Sequence, residues 1–378
     1  SNNSKITLGI AKKDGEGNPI IYRFNYNQSS KPLQMFIDYH ECAHHQTGDL
    51  DKPHPPQNSF EHLMKESIAD CIAAIRMKSD NIKFIRKNIL VKNLVLIDGL
   101  GRSGKFFLGK IVSGYKDMEY FQYASLFEQI PYLVKLGALT EDAGICLLQN
   151  HIDEYYYYRQ LGRNINLRLD DATSVTNSLE KEIYFKRTKM PYNKKLKQEV
   201  LNNIDRKFLL VLHHTLPNIP IYFNAYPNLK LINLVRNPID LIYSWYKEGI
   251  HERASNEAFN FWPNIKGSSG PIPWYVSDWS DEFESIHGID RIVKSIDYLI
   301  KLQSKTIDSL PLKQKKQILT IKYEEVVENT HSVIKTVGSF LETKPFDNIE
   351  EILNRENCPR VLSEEDFNRK IKKALSDE

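Results

Sequence analysis

The chain has 378 residues, 41% of them hydrophobic, which is enough for one large core or two unequal ones, and two units are expected. Its 51 basic and 48 acidic residues are evenly mixed and leave a net charge of only +3, which argues against nucleic acid or an anionic membrane as partner. Four cysteines without CxxC spacing exclude a disulfide framework or zinc knuckle, no apolar run reaches the roughly 20 residues of a membrane span, and the polar start SNNSKIT is no signal peptide, so a cytoplasmic protein is expected.

The first unit is expected over residues 1–85. Residues 18–27 (NPIIYRFNYN) read as a strand, and Ser30-Lys31-Pro32 opens a helix that carries Phe36, Ile37, His40 and His44 and stops at Gly48. From Ser59, the residues Phe60, Met64, Ile68, Ile72 and Ile75 recur at helical spacing, which predicts a second amphipathic helix ending near Met77. His40, Glu41 and His44 form HExxH. On a helix the two imidazoles project from one face a turn apart, as a zinc ion requires, with Glu41 beside them as a candidate base. Glu66 and Asp70 follow on the second helix as ExxxD. Together these residues resemble the gluzincin metallopeptidases. The resemblance implies a small α+β zincin-like unit in which His40, His44 and Glu66 bind zinc, Glu41 activates water and Asp70 supports His40.

After a basic linker around Lys83 to Lys92 the period changes, and a second unit is expected over 92–378. NLVLIDG, FLLVLHH (208–214), KLINLVRN (230–237) and QILTIKYEE (317–325) are short apolar runs of buried-strand character with helix-length segments between them. This alternation predicts an α/β fold with a mostly parallel sheet flanked by helices, and ligands beyond the C-terminal strand ends. The segment Asp98-GLGRSGKFFLGKI puts a glycine-rich turn at a helix N-terminus, an anion cradle. Gly99 to Lys105 fits GxxxxGK, but Phe106 stands where a triphosphatase needs Ser or Thr for magnesium.

The run LINLVRNPIDLIYSWY ends its strand at Arg236, turns through Asn237 and Pro238, and enters a helix carrying Ser244. An RSG loop followed by RNPxDxxxS resembles the sulfotransferase family, and ILTIKYEEVVENTHSVIKTVGSFLE resembles that family's late strand and helix, so the likeness covers about Leu94 to Leu341. It implies a P-loop-like fold and transfer of a sulfuryl group from 3′-phosphoadenosine 5′-phosphosulfate. Gly101, Arg102, Ser103, Gly104, Lys105 and Phe106 would hold the 5′-phosphosulfate, and Arg236 with Ser244 the 3′-phosphate. Arg102 or Lys105 would steady the leaving oxygen.

Sulfuryl transfer to a hydroxyl benefits from a base near neutrality. VLHHTLP supplies His213 and His214, where the family often has KTHLP, so Thr215 stands in the usual histidine slot. Strand alternation lets only one of the two histidines face the cleft, and His214 is favoured. Arg163, Asn164 and Arg168 in the polar loop 159–175 are candidate acceptor-binding residues. Tyr155 to Tyr158, Trp262 and Trp274 are candidates to stack on a sugar, with helix packing as the plainer role for the tyrosines. The expected activity is sulfuryl transfer to a hydroxyl or amine of a small-molecule or carbohydrate acceptor. The alternatives are a P-loop kinase, a zinc peptidase acting through the first unit, and a sulfonucleotide-binding module without turnover. Oligomeric state has no sequence sign.

Overall fold

The structure is a computed structural model that describes residues 9–24, 30–51, 62, 65–70, 72–73, 76, 83–191, 198, 200–201, 205–250, 261–286, 288–363 and 368. The chain divides into two compact units, Ser1–Phe84 and Ile85–Glu378.

In the first unit, β1 (Gly9–Lys13) and β2 (Pro19–Arg23) form an antiparallel hairpin. Its turn is set by Asp14, whose carboxylate accepts from the Glu16 and Asn18 amides at 2.9 and 2.8 Å. The strand is shorter than the expected 18–27, and residues 25–29 lie outside the described residues. Helix α1 (Lys31–Gln46) buries Ile37 and Ala43 and ends just before Gly48, which takes a left-handed φ of +70°. Residues 65–70 and 72–73 are helical, as the apolar spacing predicts, whereas Phe60, Met64, Ile75 and Met77 lie outside the described residues. Ile68, expected on the apolar face, is exposed; the buried positions there are Ala69 and Ala73.

The second unit is built on a four-stranded, all-parallel sheet. Its strands are β3 (Leu94–Asp98), β4 (Phe208–Val211), β5 (Lys230–Val235) and, after the short β6 (Asn264–Lys266) and β7 (Pro271–Pro273), β8 (Ile318–Lys322). The order β4-β3-β5-β8 places β3 centrally. All five residues of β3 are buried, which is why it reads as a continuous apolar run. Its alternate residues feed opposite faces. Val95 and Ile97 meet Leu108, Ile111 and Val112 of α2 (Lys105–Val112), whereas Leu94 and Leu96 share a core with Phe127 of α3 (Ser125–Lys135) and Leu148, Ile152 and Tyr156 of α4 (Glu141–Gln160). Helix α5 (Lys181–Lys189) follows before β4, and α6 (Ile219–Ala225) after it.

A third apolar cluster lies around the loop after β3. It joins Leu100 to Leu241 and Trp245 of α7 (Pro238–Lys247), to Trp274 and Tyr275, and to Ile292, Ile296 and Leu299 of α8 (Gly288–Ser309). Helix α9 (Thr330–Leu341) packs Val333, Ile334, Val337 and Leu341 on the α2 face. No described helix is long and apolar enough to cross a membrane.

Away from the strand ends, Glu119 is fully buried among arginines. It meets Arg187 at 2.8 Å, Arg206 at 2.9 Å and Arg159 at 3.3 Å, and Gln160 donates to it at 2.9 Å. Arg206 also reaches Glu180 at 2.6 Å. The cluster ties the C-terminal end of α4, α5 and the entry to β4 together.

Candidate functional site

The six-residue loop between β3 and α2 is strained where an anion cradle needs it. Gly104, the residue before α2, has φ +97°, and a Cβ there would lie 2.6 Å from the Tyr323 ring. Arg102 itself takes φ +68°, rare for a side-chain residue and typical of functional turns. Two aromatic side chains clamp Gly101 from behind. Its N–H donates to His214 Nε2 at 3.4 Å, and its carbonyl accepts from Trp245 Nε1 at 2.9 Å.

The loop's two cations point in opposite directions. Lys105 is buried and donates to the carbonyls of Gly99 at 3.0 Å and Leu100 at 2.5 Å, with Ser103 Oγ at 3.5 Å. Burial lowers its ammonium to about 8, and neighbouring Asp98 opposes that fall. Asp98 is likewise raised by burial, to about 6, and accepts from the Leu216 amide at 2.6 Å. Lys105 therefore braces the underside of the loop. Arg102 is the cation on the open side. Its Nε donates to Ser244 Oγ at 3.1 Å and its Nη2 to Glu248 at 3.1 Å.

Arg236, immediately after β5, donates from Nη1 to the Arg102 carbonyl at 2.9 Å and lies 4.5 Å above the Tyr323 ring. Its turn is held by Glu324, which accepts from the Asn237 amide at 2.9 Å, while the Asn237 side chain caps α7 by accepting from Ile239 N at 2.9 Å. Phe107 meets Tyr323 edge to face at 5.9 Å between centroids. Loop, Arg236 and Ser244 thus come together at the sheet's C-terminal edge, as the motif order predicts, and the Phe107–Tyr323 pair joins them there. A cavity of about 260 Å³ opens beside Ser103, Arg236 and Leu241. Phe107 carries no motif signal, so its place was not legible from the sequence.

The two histidines do not obey strand alternation, because β4 ends at Val211 and His214 has φ +53°. His214 is 1% exposed and sits among the rings of Trp245, Trp262 and Tyr275. The His213 side chain is 18% exposed and lies against Phe106 and Tyr123. Phe106, where a nucleoside triphosphatase has a hydroxyl, is a packing residue for that ring. Glu128, on α3, accepts from the backbone N of His213 at 2.5 Å and lies 2.8 Å from its ring Nδ1. Nothing in the sequence links it to His213.

Other expected contacts are placed differently. Trp274 is buried and stacked on Tyr132 at 3.9 Å, so it is unavailable to a sugar, and Tyr156 is a core residue of α4. Arg163, Asn164 and Arg168 are exposed in the loop after α4; Arg163 lies over the Tyr158 ring at 5.6 Å, and the Arg168 amide donates to Asn166.

In the first unit, His40, His44 and Glu66 converge. His40 Nε2 lies 3.2 Å from His44 Nε2 and 3.4 Å from Glu66, and His44 Nε2 lies 3.7 Å from Glu66. Tetrahedral ligands at zinc–nitrogen distance stand about 3.3 Å apart, so the donor set fits one ion. Asp70 accepts from His40 Nδ1 at 2.9 Å, the outer contact that orients a ligand imidazole. Glu41 is buried, which raises its carboxyl, and it accepts from the Ala11 amide.

The family described as "Sulfotransferase domain" matches residues 92–359, so the chain belongs to the sulfotransferase family and is a transferase. Similar solved structures include the sulfotransferase domain from the curacin biosynthetic pathway, at 14% identity and TM-score 0.38, over 68% of this chain and 76% of that one. A sulfotransferase of Mycobacterium tuberculosis H37Rv matches at 10% identity and TM-score 0.34, over 92% and 91%. A retinol dehydratase in complex with androsterone and the inactive cofactor PAP matches at 14% identity and TM-score 0.27, over 70% and 64%. No curated protein sequence matches the chain.

Proposed function

We propose that the second unit takes its sulfuryl group from 3′-phosphoadenosine 5′-phosphosulfate and delivers it to a hydroxyl or amine acceptor. The observation that carries this reading is the joining of the loop to Arg236 and Ser244 through Arg102, which sets two guanidiniums and a hydroxyl beside a loop that opens a helix. Gly101 to Gly104 would cradle the 5′-phosphosulfate, Arg236 and Ser244 would grip the 3′-phosphate, and the Phe107–Tyr323 pair would border the base. Arg102, rather than the inward-turned Lys105, would meet the charge that develops on the leaving phosphate oxygen. Phe106 as a packing residue weighs against the magnesium-dependent kinase alternative. The aromatic surround of His213 suits a small-molecule or carbohydrate acceptor presented by its apolar face. Release of adenosine 3′,5′-bisphosphate from the labelled donor should proceed in EDTA. Turnover of ATP that requires magnesium, with the sulfate donor untouched, would overturn the reading in favour of a kinase.

For the first unit we propose zinc held by His40, His44 and Glu66, with Asp70 orienting His40, on the strength of the near-tetrahedral donor spacing. Bound there, zinc would supply Lewis-acid chemistry. Glu41 is the base a peptidase reading needs, and one of its acceptor positions takes the Ala11 amide. Titration of the chelator-treated chain with zinc should give one site that His44→Ala abolishes. Equal uptake by parent and variant would remove it.

A further inference from the structure

The cavity of about 260 Å³ beside the phosphate loop lies between α8 and the strands β5 and β8. Three of its lining side chains hold a buried polar atom that has no hydrogen-bond partner among the described residues: Asn233 Oδ1 on β5, Gln303 Nε2 on α8, and Arg236 Nε just after β5. Asn233 and Gln303 are only 3% and 6% exposed. Polar atoms buried without a partner cost stability, so nearly all of those in folded proteins are satisfied. Asn233 Nδ2 reaches Thr320 Oγ1 at 3.5 Å. A hydroxyl both donates and accepts, so that contact lets the carboxamide turn either way. Turning a carboxamide over exchanges a free acceptor for a free donor, or the reverse, and the demand for a partner stays. The Nε–H of Arg236 is a donor in either case.

Much of the remaining wall is apolar, with Leu100, Leu241 and Ile307 facing the same space, and Arg236 is the single charged side chain among the described residues that line it. The mouth lies where Ile300 and Ser304 of α8 meet Thr320 of the edge strand β8, all three exposed. A space of this size equals roughly nine waters at about 30 Å³ each, and apolar walls offer most of them no partner. A molecule with an apolar body and one polar head suits it better.

We infer that this cavity is a binding site for a small neutral amide or lactam with an apolar body. An amide carries a donor and an acceptor side by side, so it meets Asn233 and Gln303 in whichever orientation each is held, and its carbonyl can also take the Arg236 Nε–H. A carboxylate offers acceptors alone, and a hydrocarbon leaves all three atoms unpaired. The site is distinct from the Phe107–Tyr323 pair, neither ring of which lines the cavity.

Arg236 joins this site to the phosphate loop. Its Nε belongs to the cavity, while its Nη1 donates to the Arg102 carbonyl at 2.9 Å. Resting on the proposed donor, an acceptor on Nε fixes the guanidinium that would grip the 3′-phosphate. Amide and nucleotide should therefore tighten each other's binding by the same factor, about fivefold at the low end of usual couplings.

The test titrates the full chain with benzamide, read by ligand-observed NMR, with benzoate and toluene as comparisons. Benzamide should bind saturably with a Kd of about 1 mM. Gln303→Leu should weaken it about tenfold while the unfolding midpoint holds or rises, because an apolar group of similar size replaces an unpaired polar one. Ser304→Trp, at the exposed mouth, should block uptake without disturbing the core. Adenosine 3′,5′-bisphosphate should tighten benzamide in the parent and leave it unchanged in Arg236→Ala. Toluene or benzoate bound as tightly as benzamide, benzamide uptake unchanged in both Gln303→Leu and Ser304→Trp, or no uptake by the parent overturns the inference. Binding of both ligands without coupling overturns the link through Arg236. Benzamide bound by a parent chain that does not bind the bisphosphate sinks the donor reading and leaves the amide site standing.

Discussion

Two arginine clusters show how the same side chain builds in one place and binds in another. Around Glu119, Arg159, Arg187 and Arg206 are drawn inward, the buried carboxylate and Glu180 share their donors, and Gln160 donates to the same carboxylate. At the strand ends, Arg102 and Arg236 hold a hydroxyl, a backbone carbonyl, the half-exposed Glu248 and a tyrosine face. Bidentate donors that meet a backbone carbonyl and a hydroxyl keep capacity for a phosphate. The difference lies in what surrounds the guanidinium.

The largest expected effect breaks the structural cluster. Glu119→Ala leaves the buried Arg159 and Arg187 without their carboxylate and Arg206 with Glu180 alone, and should cost about 3–5 kcal/mol in urea unfolding. Burial alone would raise Glu119, but Arg187, Arg206 and Arg159 outweigh it and hold the carboxyl well below the usual range. A depressed folded value means that its stabilisation is complete above the ordinary glutamate value of 4.5 and drains away as the pH falls below it. The parent should therefore lose stability in mild acid more steeply than Glu119→Gln.

Next comes Arg236→Ala, which should cost about 1.5–3 kcal/mol of nucleotide affinity, roughly 10- to 150-fold, with little change in the unfolding midpoint. Arg206→Ala should do the reverse. Gly104→Ala joins the two behaviours. The left-handed φ and the Tyr323 ring at 2.6 Å predict a loss of about 1–3 kcal/mol in stability together with weaker nucleotide binding. The smallest effect is that of EDTA. If the donor site needs no metal, nucleotide affinity should stay within about twofold while the His40–His44–Glu66 site is stripped.

Much of this was legible from the sequence. The β3 loop and the Arg236 turn announce themselves by glycine placement and by a strand-to-helix change of period, and HExxH with ExxxD brings its donors to within bonding range of one ion. What the sequence hid depends on contacts between distant segments. Glu128 and His213 stand 85 residues apart with no motif between them. Lys105 looks like a loop cation, yet its stem turns under the loop to donate to the Gly99 and Leu100 carbonyls. Alternation does not decide between His213 and His214 because the strand stops at Val211, before either histidine. Trp274 reads as a sugar platform only while Tyr132, its stacking partner, is out of sight.

The central claim is that the loop and the Arg236–Ser244 pair hold the two phosphate ends of one nucleotide. It is tested most directly by calorimetric titration, in EDTA, of adenosine 3′,5′-bisphosphate against adenosine 5′-monophosphate, which lacks the 3′-phosphate. Micromolar binding of the bisphosphate, at least about tenfold tighter than the monophosphate, is the expected result. Equal affinity for the two, or binding that appears only with ATP and magnesium, would contradict it.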